Sequence, residues 1–138
     1  MLIYISQYRK DENGAAAVEF SMLAVLFIML IFGIFELGRL FWTLNGLQYS
    51  VEQAARYAAI HPSYAESDIR EVAAESLSDM QVSTDPLSIQ VNMVADSEIQ
   101  MVEVISTYPL TFVSLFFLPA EMNTFTLNTI SRRPIIPE

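Results

Sequence analysis

Cysteine is absent from the 138-residue chain, so disulfide bonds, thiol catalysis and cysteine-ligated zinc are excluded. Histidine occurs once, as His61, and a Ser-His-Asp triad would have to use it. His61 stands beside Pro62 with no catalytic motif around it. A histidine near the end of a helix is more often a surface residue than a general base. We therefore predict that the protein is not an enzyme.

Glycine is also scarce, with four residues that all lie in the first third of the chain (Gly14, Gly33, Gly38 and Gly46). A glycine-rich loop that cradles phosphate groups is therefore missing. No acidic segment has the alternating oxygen ligands of a calcium-binding loop. The sequence predicts neither a cofactor nor a metal site.

Positive charge is limited to seven Lys and Arg residues against sixteen Asp and Glu, which gives a net charge of −9. Nucleic acids bind basic patches because phosphate contacts supply much of the affinity, so no nucleic-acid partner is expected. Residues 40–138 hold twelve acids and four bases, whereas Arg9 and Lys10 precede a long apolar run. The positive-inside rule then predicts that residues 1–14 are cytoplasmic and that the acidic part lies across a membrane.

The apolar run covers residues 15–35 and contains one charged residue, Glu19. As a helix it would span about 30 Å, the thickness of a hydrocarbon core. In a cleaved secretory signal the small residues follow an apolar core of about 7–15 residues, whereas here they precede it, at positions 14–17. A buried core helix would need more surrounding protein than this chain supplies. We predict a transmembrane helix over residues 15–37, in contact with the lipid bilayer.

Apolar residues continue beyond this run at alternating spacings of three and four: Leu37, Leu40, Leu44, Leu47, Val51, Ala54 and Ala58. Such spacing places them on one helix face, and Pro62 ends the helix near residue 60. We predict that residues 38–61 are an amphipathic extension of the same helix. Packing of the C-terminal part of the chain on this stripe is the favoured interpretation, and a coiled coil is the alternative.

The pattern changes again in residues 62–138, which we predict to form an α+β domain. A short helix is expected within residues 63–80. Alternating apolar residues in three segments predict an antiparallel sheet of three to four strands: residues 87–93, 99–107 and 123–131. Residues 110–118 fit a buried loop, a further strand or a surface-seeking patch, and the end of the chain is expected to be irregular.

Glu19 needs a physical reason, because a carboxylate inside a membrane costs on the order of 2–3 kcal/mol. Gly14 could let a protease accommodate the backbone at the membrane surface. Cleavage after Gly14 would leave a positive amine on Ala15, one helical turn from Glu19, where the helix dipole also favours a carboxylate. The alternative is an uncleaved, interfacial glutamate that reaches the lipid headgroups.

The segment ENGAAAVEF (residues 12–20) resembles a class III, prepilin-type leader, in which Phe20 follows the acid. FELGRLFWTLNGLQYSVEQAARYAAIHP (35–62) resembles the extended helix of TadE-like minor pilins, or pseudopilins, of tight-adherence (Tad/Flp) pilus systems. VISTYPLTFVSLFFLP (104–119) and NTFTLNTISRRP (123–134) are similar to the closing segment of that family. The sibling TadF-like pseudopilins remain an alternative.

The resemblance implies a pilin-like fold and a bacterial inner-membrane protein with one span and a periplasmic C-terminal domain. It implies cleavage of residues 1–14 by a prepilin peptidase between Gly14 and Ala15, with Glu19 as an intersubunit charge. The mature subunit would prime or assist assembly of an adhesive pilus. Its partners would be other pilins or pseudopilins and the inner-membrane assembly platform. Alternatives are a type II secretion pseudopilin and an uncleaved, single-pass periplasmic ligand-binding protein.

Overall fold

The computed structural model describes residues 12–61, 63–96, 99–113 and 119–135. They form α1 (Glu12–Ile60), α2 (Glu66–Asp79), β1 (Ser88–Asp96), β2 (Ile99–Thr111), α3 (Ala120–Asn123) and β3 (Thr124–Pro134). The predicted α+β class is confirmed, with a long first helix, a short second helix and a three-stranded antiparallel sheet. The chain divides into two compact units, residues 1–37 and 38–138, which are described separately.

In the first unit, the large apolar side chains of α1 are exposed around the whole helix. Their exposed fractions run from 36% at Ile31 to 74% at Phe20. Such a helix, apolar on every side, is typical of a membrane span or a buried core. It is the one helix among the described residues that is long and apolar enough to cross a membrane, and its most apolar segment is not buried.

In the second unit, one face of α1 is covered by α2 and the sheet. Val51, Ala54 and Ala58 are at most 2% exposed and lie in one cluster with residues of α2, β1 and β2. Alanine at positions 54 and 58 lets the other elements approach the helix closely, because its side chain ends at Cβ. A second cluster joins Leu47 to α2, the following loop and β2 (Leu77, Val82, Tyr108 and Leu110).

The sheet has the order β1-β2-β3, so β2 is central. Val91 lies opposite Val104, and Tyr108 lies opposite Leu127. Alternate residues of β2, including Val102 and Val104, are fully buried in the core. The period-two pattern therefore corresponds to one core-facing side and one outer side of the sheet.

All three strands extend further than predicted, and β1 continues from residue 93 to Asp96. β2 continues through Pro109 to Thr111, and β3 continues to Pro134, so the expectation of an irregular end from residue 132 is wrong. β1 reaches only as far as Thr107, so Pro109 has β3 alone beside it and its missing N–H costs no bond to β1. Residues 114–118 of the undecided apolar segment lie outside the described residues.

The end of α2 is shaped by a left-handed residue, Gln81, with φ of 57°. This turn brings the N–H of Val82 back to the carbonyl of Leu77, at 3.3 Å. It also leaves the carbonyl of Met80 available to a side chain of α1. At the other end, the N–H of Ala65 donates to Asp68, at 3.1 Å, which places that acid in the first turn of α2.

Candidate functional site

Gly14 and Ala15, the predicted scissile pair, lie in the first turn of α1 and are exposed. A Cβ added at Gly14 would meet no heavy atom within 4 Å outside the local backbone. The fold of the described residues therefore does not require glycine at this position.

Glu19 and Phe20 lie about one turn further along α1, both exposed. The next residue, Ser21, satisfies its hydroxyl within the helix by donating to the carbonyl of Ala17 at 2.6 Å, which is how a hydroxyl is tolerated in an apolar segment. No described residue forms an ion pair with Glu19.

The apolar stripe differs along its length. Leu37 is 53% exposed, and Leu40 and Leu44 are partly buried. The later members, from Leu47 onward, are buried: Leu47, Val51, Ala54 and Ala58. Among the stripe residues, burial is therefore complete only from Leu47 onward.

Two polar side chains at the start of this unit make contacts that the stripe does not predict. The guanidinium of Arg39 donates to the carbonyl of Thr111 at the end of β2. The indole N–H of Trp42 donates to the carbonyl of Met80, at 2.9 Å. These contacts hold the end of β2 and the turn after α2 against the first turns of the unit's helix. Their signal in the sequence is a cation and an aromatic residue among apolar neighbours.

A charged cluster joins the later part of α1 to the sheet edge. Glu52 accepts a hydrogen bond from Arg133 of β3 and lies 3.5 Å from Arg56 on its own helix. These side chains are 41–59% exposed, so water screens the pairs and each contributes modestly. Their main effect is to orient the edge strand relative to the helix.

A polar row crosses the outer side of the sheet, with Asn92, Glu103 and Arg132 side by side on the three strands. Glu103 accepts from Arg132 Nε at 2.5 Å and from Asn92 Nδ2 at 3.4 Å. Glu103 is only 7% exposed. The hydrogen bond from Arg132, helped by that from Asn92, holds the pKa of Glu103 below its ordinary value despite the opposing effect of burial.

Features that would support catalysis or small-molecule binding are weak in the part of the chain that the structure describes. His61 is exposed and stacks on Tyr57, with ring centroids 4.3 Å apart. No group of three His, Asp or Glu residues there could hold a metal ion. An open pocket of about 260 Å³ is lined by residues of α2, β1 and the loop between them: Arg70, Ala74, Thr84, Leu87, Ser88 and Ile89. Its volume is below the roughly 300–1,000 Å³ of common ligand sites.

Comparison with known proteins found a family match for most of the N-terminal helix. The family model described as TadE-like protein matches residues 14–56, about a third of the chain. Residues 14–56 are therefore similar to that family and are called the TadE-like segment below. Searches of the curated proteins and of the solved structures each found no match.

The TadE-like segment begins at Gly14 and ends within the stripe, after Ala54. It therefore contains Ala15, Glu19 and Phe20 together with the first six stripe residues, and Ala58 lies beyond it. The match thus agrees with the resemblance to TadE-like proteins inferred from the sequence.

Proposed function

We propose that this protein is a minor pilin-like subunit that primes or assists assembly of an adhesive Tad/Flp pilus. The TadE-like match over residues 14–56 carries this proposal. An apolar helix that is exposed on all sides supports anchoring in the bacterial inner membrane before assembly. The acidic unit of residues 38–138 would face the periplasm, because Arg9 and Lys10 favour a cytoplasmic N-terminus.

We further propose that a prepilin peptidase removes residues 1–14 by cutting between Gly14 and Ala15. Residues 15–37 would then form the membrane span, residues 38–61 its amphipathic extension and residues 62–138 the remainder of the periplasmic domain. The open space around Gly14 supports this, because nothing in the described chain explains a glycine there. A protease that must approach the backbone closely does explain it.

Glu19 would act after cleavage as an assembly charge. The new amine of Ala15, on the same subunit or a neighbouring one, would pair with the Glu19 carboxylate and reduce the cost of placing it among apolar side chains. The lack of an ion-pair partner for Glu19 among the described residues supports an intermolecular role. Other pilins or pseudopilins and the assembly platform would be the partners.

Cleavage can be tested by mass spectrometry of the protein from cells with and without prepilin peptidase. We expect an N-terminus at Ala15 in the first strain and at Met1 in the second. Gly14→Val should prevent cleavage, and Gly33→Val is the matched control. Both glycines are surrounded by open space, so a difference between the two variants reports on the peptidase.

Three results would contradict parts of this proposal. Met1 in both strains would favour an uncleaved anchor. Cleavage that persists in Gly14→Val would move the processing site elsewhere. Normal pili in a strain that lacks this protein would remove the assembly role. If deletion does cause a pilus defect, Glu19→Gln should cause the same defect while leaving cleavage intact.

A further inference from the structure

The two outer strands of the described sheet, β1 and β3, each have one edge that pairs with no other described strand. Both contain eight consecutive residues without charge or proline, 88–95 (SIQVNMVA) in β1 and 124–131 (TFTLNTIS) in β3. Pairing with β2 is continuous through both runs, so neither described strand is bent by a bulge. Proteins usually protect edges with charges, proline, bulges or cover, because unpaired N–H and C=O groups attract another strand. Both edges are therefore open to strand pairing.

The directions of the strands determine how two copies of the chain can pair. β1 and β3 each run antiparallel to β2, so they run parallel to one another. The free edge of β3 in one copy can therefore take the free edge of β1 in a second copy as a parallel neighbour. In that arrangement the two copies have the same orientation, and α1 and α2 of both copies cover the same side of the joined sheet.

Side chains on the two edges match when the uncharged runs are aligned from their first residues. On the core side, Leu127 then lies level with Val91, and each packs against the core of its own unit. On the outer side, Thr126 lies level with Gln90, and both are exposed. Apolar residues thus meet apolar ones and polar residues meet polar ones, and such matched neighbours on adjacent strands stabilise a sheet.

The charged residues that follow the two runs agree with this alignment. In the sequence, Arg132 directly follows the β3 run and Asp96 directly follows the β1 run. The alignment that matches the runs therefore also brings a cation and an acid to the same level. A parallel pair of two β3 runs would instead set the Arg132 residues of two copies beside each other, and like charges on adjacent strands are destabilising.

An open pocket beside β1 has room for one side chain of such a neighbour. Its volume is about 260 Å³, and it lies between α2 and the start of β1, where Ser88 and Ile89 line it. The same alignment places Phe125 level with Ile89, and Phe125 is 52% exposed in the single copy. A volume that is small for a ligand is thus adequate for an aromatic ring supplied by a second copy.

We propose that the β3 edge of one copy binds the β1 edge of a second copy and extends the sheet from subunit to subunit. The inference rests on the membrane anchoring proposed above, because copies anchored in one membrane by the same helix share one orientation, which this pairing preserves. A two-fold pair of β3 strands would instead reverse the strands of one copy relative to the other. The contact is heterologous, so each pair still has one free β1 edge and one free β3 edge for further copies.

Thiol cross-linking in membranes tests this contact, since the chain has no cysteine of its own. A tagged Thr126→Cys copy and an untagged Gln90→Cys copy are produced in the same cells, and a short thiol cross-linker is added to the isolated inner membranes. Adjacent strands lie about 4.8 Å apart, so two thiols at one level are within its reach. In the control, Gln48→Cys replaces Gln90→Cys, because Gln48 is an exposed glutamine on α1 and not on a strand. Circular dichroism of each purified variant checks its fold.

We expect tagged Thr126→Cys to capture Gln90→Cys several-fold more than it captures Gln48→Cys. Equal capture of the two, in membranes that retain the protein after carbonate extraction, would overturn the edge contact and leave the anchor standing. Stronger cross-linking between two Thr126→Cys copies than between Thr126→Cys and Gln90→Cys would overturn it in favour of a two-fold β3 pair. Release of the protein by carbonate would refute the anchor, and with it the shared orientation on which the contact depends.

Discussion

The first and second parts of α1 use apolar residues in different ways. The large apolar side chains of residues 18–35 lie all around the helix, and their exposed fractions are high. Residues 47–58 keep one apolar face, reduce it to alanine and bury it under α2 and the sheet. The first part thus leaves its apolar side chains uncovered by the described residues, whereas the second part is covered by its own unit.

The largest expected difference in stability comes from truncating one leucine in each part of α1. Leu47→Ala should destabilise the 38–138 unit by about 2–5 kcal/mol, because Leu47 is fully buried and a cavity remains. Leu26→Ala, at a position 64% exposed, is the control and should leave that unit nearly unchanged. Hydrogen exchange of the β2 amides in nanodiscs measures both. Equal losses would show that the two parts do not differ in this way.

Enlarging an alanine sharpens the comparison. Ala54→Leu should destabilise the domain by about 1–3 kcal/mol, because Ala54 is fully buried against α2 and the sheet and the core must shift. Ala24→Leu, in the apolar span, should have little effect on the same amides. A stable Ala54→Leu domain would mean that the close approach at this face is not needed.

Two glycines beyond the span should respond differently to a methyl group. Gly38→Ala should stabilise the helix by about 0.5–1 kcal/mol, since a Cβ there meets nothing within 4 Å. Gly46→Ala should gain less, because its Cβ would lie 3.3 Å from a Leu77 methyl carbon. Thermal unfolding of the two variants in nanodiscs gives the order, and a larger gain from Gly46→Ala would contradict this packing.

The smallest expected effect is a pH dependence confined to the second unit. The pKa of Glu103 is lowered by its hydrogen bonds from Arg132 and Asn92. Its stabilising contribution is therefore complete above the ordinary glutamate pKa of 4.5 and is lost as the pH falls through the lowered value. Arg132 is 62% exposed, so solvent screening keeps the effect small.

Acid titration of β2 amide exchange can detect this contribution. In Glu103→Gln and in Arg132→Gln, the protection of the β2 amides should fall less steeply as the pH drops below 4.5, the ordinary glutamate pKa. The protection of amides in residues 18–35 should not follow the same titration. If both variants lose protection at low pH as steeply as the unmodified protein does, the pH dependence belongs to other carboxylates.

Much of the architecture could be read from periodicity. The helical stripe from Leu40 to Ala58 and the alternation around Val91 and Val104 predict elements that the structure contains. The limits of β2 and β3 could not be predicted, because Pro109 and Pro134 normally end a strand. Pro109 is accommodated because β1 is absent on one side of it, and Pro134 is accommodated because β3 is an edge strand.

The candidate site could likewise be predicted only in part from the sequence. Gly14, Ala15 and Glu19 can be selected from local spacing, because the chemistry proposed for them lies within two turns of one helix. The contacts of Arg39 with Thr111 and of Trp42 with Met80 cannot be found in this way, because each joins residues that are distant in sequence.

The sequence by itself determined the helix that can cross a membrane and the face of α1 that needs cover, since both follow from the order of apolar residues along one helix. Only the tertiary structure decided which residues cover that face and how far β2 and β3 extend. Those outcomes depend on the register of the strands and on contacts between residues far apart in the chain, such as Arg39 with Thr111. Local pattern carries no information about such contacts until the chain has folded.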